Sequence, residues 1–136
     1  MYKMDIVSSP RSLTTKRRVN YRKSTWTIHE FEVWSGELVC RAVALRMMDS
    51  LLVWIGGREA QLNEVALGVP LAGTGNGALA TALLGEEGSA TGLARRLTLS
   101  LGRQVHVCSG QVFDRFTAPL VEKGIVSEIK KHPNFF

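Results

Sequence analysis

The sequence predicts an α+β fold: a single antiparallel β-sheet of about six strands with two main helices packed on one face. Three observations carry that prediction. Short apolar runs bounded by turn residues recur through the first half of the chain, which marks strands. Two later stretches, 89–101 and 118–131, carry apolar residues at helical spacing. The first three runs follow one another through short connections, which favours an antiparallel meander.

The run 51–55 organises the chain. Asp49 and Ser50 form a turn pair ahead of it, and Gly56-Gly57 ends it. At period 2, Leu51, Val53 and Ile55 share one face of the strand, and Leu52 and Trp54 share the other. Both faces are apolar, so both need cover.

Taken in order, 24–34 is strand-like. Its phase slips between Ile28 and Phe31, which predicts a bulge. Ser35-Gly36 is a turn, and 38–48 is a second strand with Arg41 interrupting one face. After the organising strand, 64–71 reads as a fourth, with Pro70 near its end. Residues 78–84 fit an edge strand or a helical turn, and periodicity does not separate the two. In 89–101, Leu93, Leu97 and Leu101 form a stripe with Ala90 and Ala94; Ser89 or Thr91 can cap the start, and Gly102 closes the end. Residues 104–109 are a strand with Val105 and Val107 on one face and His106 and Cys108 on the other. Pro119 suits the first turn of the last helix and Pro133 stops it. Phe135-Phe136 is expected to pack back on the domain.

A chain of 136 residues is enough for one domain with a real core. No run approaches the roughly 18 apolar residues of a membrane helix, so no membrane partner is expected. The net charge of +5 is unevenly placed. Residues 1–23 carry seven basic side chains and one acidic; residues 24–136 carry ten and eleven. The basicity therefore belongs to the tail and gives no reason to expect nucleic acid on the folded body. Ser8, Ser9, Pro10, Ser12, Thr14 and Thr15 make 1–23 a disordered basic tail by composition, leaving 24–136 as the folded domain. The tail's composition also suits a transit peptide. Its basic residues cluster at 16–23 without an amphipathic face, which favours a solvated tail.

The sequence carries little that points to chemistry. Cys40 and Cys108 sit in unrelated contexts without metal-ligand spacing and read as reduced core thiols. The loop Ala72-Gly73-Thr74-Gly75-Asn76-Gly77 lacks the βαβ context of a dinucleotide fingerprint and the Lys-Ser/Thr of a phosphate loop. His106 has no Ser, Asp or second His at a recognisable spacing, so it reads as a strand-face residue. No enzyme activity, cofactor or metal is expected.

Four stretches together resemble the small proteasome assembly chaperone family, and within it the proteasome assembly chaperone 4 branch most closely. They are Thr27-Ile28-His29-Glu30-Phe31, the run from Arg46 through Asp49-Ser50-Leu51-Leu52-Val53-Trp54-Ile55-Gly56, Ser89-Ala90-Thr91-Gly92-Leu93-Ala94-Arg95-Arg96-Leu97, and Gln104-Val105-His106-Val107-Cys108-Ser109 with the closing His132-Pro133-Asn134-Phe135-Phe136. The resemblance spans about 24–136. The tail has no counterpart, and the glycine loop departs from the pattern. It implies a non-enzymatic chaperone of the cytoplasm, and also of the nucleus. Such a chaperone pairs with the related assembly chaperone 3 as a heterodimer, promotes formation of the α-subunit ring of the 20S proteasome, and leaves before the core particle matures. Its partners would be that subunit and the 20S α subunits.

On the residues themselves, two helices can cover one face of the sheet. The other face, holding Leu52 and Trp54 with Arg41 in the neighbouring strand, is then left for a partner. The alternative arrangement has helices and tail covering both faces of a monomer. The rival function is a nucleic-acid-binding module using the basic tail; it lacks the aromatic platform that single-strand binders use.

Overall fold

The computed structural model describes residues 17–73, 77–111 and 113–136. In chain order the elements are β1 (Thr27–Ser35), β2 (Leu38–Arg46), β3 (Ser50–Gly56), β4 (Glu64–Pro70), β5 (Ala78–Leu84), α1 (Ser89–Leu101), β6 (Gln104–Ser109) and α2 (Thr117–Lys131), closed by a 3₁₀ turn at Pro133–Phe135. The ambiguous stretch 78–84 is thus a strand. Disorder was expected over 1–23, but residues 1–16 lie outside the described residues. Residues 17–26 are exposed and without regular structure. Residues 74–76 of the glycine loop also lie outside the described residues.

The six strands form one sheet in the order β1-β2-β3-β6-β4-β5. β1, β2 and β3 are the expected antiparallel meander. The expectation of a wholly antiparallel sheet is corrected at the next neighbour: β6 pairs with β3 in parallel, Leu51 opposite Val105 and Val53 opposite Val107. The cause is the α1 crossover. The chain leaves β5, runs back over the sheet as a helix, and enters β6 between β3 and β4, parallel to the first and antiparallel to the second. A parallel neighbour of this kind needs a long connection, and α1 supplies it.

The bulge expected in β1 is absent. Its register with β2 runs unbroken from Thr27 opposite Arg46 to Ser35 opposite Leu38. The apparent slip came from His29, a polar residue on the apolar side. Its ring stacks on Phe135 at 4.3 Å between centroids, and its Nε2 lies 2.8 Å from Glu128 Oε2 of α2. A register shift does occur between β4 and β5, at Val65 and Ala66.

Following the register across the sheet gives the two faces. One row reads His29, Ala44, Val53, Val107, Ala66, and the next reads Leu51, Val105, Gly68, Ala80. Leu51, Val53, Val105 and Val107 are fully buried. Both helices dock on this side. α1 presents Ala90, Leu93, Ala94 and Leu97, and α2 presents Val121 and Ile125. The approach is closest at two glycines. A Cβ on Gly68 would strike Thr98 Oγ1 and the Ala94 carbonyl of α1, and a Cβ on Gly124 would strike the Val33 side chain of β1. A missing Cβ on the strand seats one helix, and a missing Cβ on the other helix seats the second.

The helix ends follow local chemistry. α1 starts from Gly88, one residue before Ser89; of the two expected capping residues, Ser89 and Thr91, Thr91 takes part, its Oγ1 accepting from the Gly88 N–H at 3.3 Å from the third helical position. It ends as expected at Gly102, in the left-handed region with φ 68°. α2 is prepared by Asp114, whose Oδ1 accepts from the N–H groups of Phe116 at 2.9 Å and Thr117 at 2.7 Å. Phe136 packs back on the domain and is 3% exposed.

Candidate functional site

Among the described residues, the opposite side of the sheet carries no helix. One row across it reads Ile28, Leu45, Leu52, His106, Leu67, Thr81. The next reads Glu30, Val43, Trp54, Cys108, Val65. The middle of this face is therefore almost wholly apolar. Ile28 is 58% exposed and Leu79 on β5 is 62% exposed. Six strands spaced about 4.8 Å apart and about seven residues long give a planar footprint of roughly 24 by 23 Å. That is comparable to one side of a stable protein interface, about 800 Å² once corrugation is counted. Exposed patches of this kind on a soluble domain mark interaction sites.

The structure places all three of the proposed interface residues, Arg41, Leu52 and Trp54, on this face. Leu52 sits mid-row, half-buried between Leu45 and His106. Trp54 is also half-buried, with its ring against Gly56 and Gly110. Its indole N–H donates to the Gln61 carbonyl at 2.9 Å, which ties the 57–63 connection to the sheet. Arg41 is exposed and stands opposite Glu32 in the β1–β2 register. Together with Glu30, Trp54 and Arg58 it lines a cleft of about 520 Å³ at one corner of the face. The charged corner and the apolar centre are one continuous surface.

Cys108 corrects a second expectation. It was read as a core thiol but lies on this open face, half-buried, while Cys40 is buried on the helix side. Burial pushes both thiols above the ordinary cysteine value, so neither is an activated nucleophile. His106 is on the same face, and its Nδ1 is buried without a hydrogen-bond partner. It has no nucleophile or carboxylate opposite it in either neighbouring strand; Leu52 and Leu67 flank it. The arrangement suits contact rather than proton transfer. Among the described residues no group of three or more His, Cys, Asp and Glu side chains could hold a metal ion.

Sequence reasoning named only three residues of this face. Ile28, Val43, Leu45, Val65, Leu67 and Leu79 belong to it as well. Their signal was present as strands apolar at both alternating sets of positions, but assigning a side required the register.

A search among curated proteins gives no match. Among solved structures, the chain is similar to one chain of a crystal structure of a chaperone complex for yeast 20S proteasome assembly. The identity is 12%, covering 79% of this chain and 94% of that one, with a TM-score of 0.49. The sequence profile of proteasome assembly chaperone 4 matches residues 41–110, half of the chain, from β2 through β6. The chain belongs to the proteasome assembly chaperone 4 family.

Proposed function

We propose that this protein is a non-enzymatic chaperone of 20S proteasome assembly, working as a heterodimer joined through its open sheet face. The observation that carries the reading is that face: an apolar surface of interface size, with both helices of the described residues on the other side. A related subunit, the assembly chaperone 3 type, would lay a similar sheet face against it. The contact would be depleted of charge at its centre around Leu52 and His106, with Arg41, Glu30 and Glu32 at its rim. The heterodimer would hold an α subunit in an orientation that blocks wrong neighbours and promotes the α-ring. It would then be expelled when a later subunit needs the same space, before the core particle matures. The work would take place in the cytoplasm and nucleus.

The test is co-expression with the partner subunit and affinity capture of the tagged pair. Proteasome α subunits, without mature core particle, should accompany it. Recovery of mature core particle alone would contradict the assembly role. Capture of nucleic acid that is lost steeply with added salt would instead support the basic-tail reading.

A further inference from the structure

A second surface lies on the far side of the molecule from the open sheet face. α1 rests over β4, β5 and β6, while α2 rests over β1. Between their N-terminal halves they leave a groove of about 670 Å³, floored by Ile55 and Phe113 and walled by Leu93 and Val121. Arg96 spans it, its Nε 2.8 Å from Glu122 Oε1 and 2.7 Å from Oε2.

The charged side chains that line this groove are mostly cationic, with Asp114, Glu86 and Glu87 outside the lining. Arg96, Arg115 and Lys123 line it against one acid, Glu122, and that acid is committed to Arg96. Arg115 and Lys123 are exposed. The N-terminus of α1 opens onto the same space through Gly88 and Ser89, with no side-chain cap and no acid in its first turn. The exposed Glu86 and Glu87 stand immediately before Gly88 and offset the positive end of the α1 dipole, so the cationic character of the groove rests on Arg115 and Lys123. Beside the mouth, Phe116 is 70% exposed and Leu120 is 46% exposed.

An apolar floor with a cationic rim selects its ligand. The segment 1–16 of this chain holds Lys3, Arg11 and Lys16 against Asp5, the wrong sign. A second copy would bring the same cationic rim against this one. We propose that the groove docks an acidic segment of another protein, with one or two aliphatic or aromatic anchors flanked by Asp or Glu. The anchors would lie over Ile55 and Phe113, and the flanking carboxylates would meet Arg115 and Lys123. Because this groove and the sheet face point in opposite directions, both can be filled at once, and the inference stands whether or not the sheet face pairs as proposed.

The test is selection of a random-peptide phage library on the full chain. Enriched peptides should combine Asp or Glu with Leu, Ile, Phe or Trp. A synthetic copy should shift the amide resonances of Gly92 and Val126 in the isotope-labelled protein. Its affinity should fall with salt, and by about tenfold or more in the double variant Arg115→Glu/Lys123→Glu. Both positions are exposed, so the variant should keep the wild-type circular dichroism. No enrichment, enrichment without acidic bias, shifts confined to Leu52 and His106, or unchanged affinity in the double variant would each overturn the proposal. So would concentration-dependent self-association that the same variant abolishes, since that would make a second copy the occupant.

Discussion

Leu51 and Leu52 are adjacent residues of one strand with opposite surroundings. Leu51 is 0% exposed in the core on the helix side, opposite Val105 in the parallel register. Leu52 is half-buried on a face that no described helix covers. The same holds for Val53 against Trp54, and for Val107 against Cys108. Residue type does not distinguish the two sides, because β3 is apolar on both. What distinguishes them is cover. Both helices of the described chain lie on one side of the sheet, seated by Gly68 and Gly124. An apolar side that the described residues leave bare suits contact with another protein, since exposing it otherwise invites aggregation.

The contrast can be broken most sharply by the same substitution on each side. Leu51→Glu should unfold the chain, because it places an unpaired charge in a closed core. The milder Leu51→Ala should still cost about 2–5 kcal/mol in urea unfolding. Leu52→Glu should change stability by less than about 1 kcal/mol and keep the wild-type circular dichroism, yet abolish pairing on size-exclusion chromatography. If Leu52→Glu unfolds the isolated chain as Leu51→Glu does, the two faces are equivalent and the contrast fails.

The strand periodicity was legible in the sequence where it met turn residues. The division of β3 into Leu51, Val53, Ile55 and Leu52, Trp54 follows from period 2 alone. α1 was legible to its last residue because Gly102 takes the left-handed conformation that stops a helix. Strand neighbours were not legible. Nothing in Gln104 to Ser109 says that it inserts between β3 and β4, because a parallel pairing made through a helix leaves no local mark. Period 2 separates Cys108 from Val105 and Val107 correctly, but which of the two sets faces the core needs the register, because β6 is moderately apolar on both faces. His29 disguised the period of β1, since its partners Glu128 and Phe135 are about a hundred residues away. The helix-side groove was invisible because it exists only where two separate helices diverge.

Trp54 sharpens the contrast at intermediate scale. As a half-exposed residue that ties Gln61 to the sheet, its replacement in Trp54→Ala should cost about 1–2 kcal/mol. A loss of about 3–5 kcal/mol, as for a core aromatic, would mean that the open face is itself a closed core. The smallest expected effect lies at the α2 entry. The Thr117 backbone N–H, then its hydroxyl and the Phe116 N–H, hold the Asp114 carboxyl below the usual carboxylate range. A depressed folded value means that the stabilisation is present above the unfolded value and is lost as pH falls through the folded one. Asp114→Ala should therefore lower the melting temperature slightly at neutral pH, and the difference from wild type should vanish in acid. A difference that persists in acid would assign the effect to something other than the charge.

The two native cysteines give the most direct test of the claim that the bare face is the paired face. Cys108 lies on it and Cys40 lies beneath the helices. Isotope-coded alkylation, read by mass spectrometry, can follow both thiols in the free chain and in the heterodimer. Cys108 should react in the free chain and become protected on pairing, while Cys40 stays slow in both. A Cys108 that reacts equally fast in the free and paired protein would contradict pairing through this face.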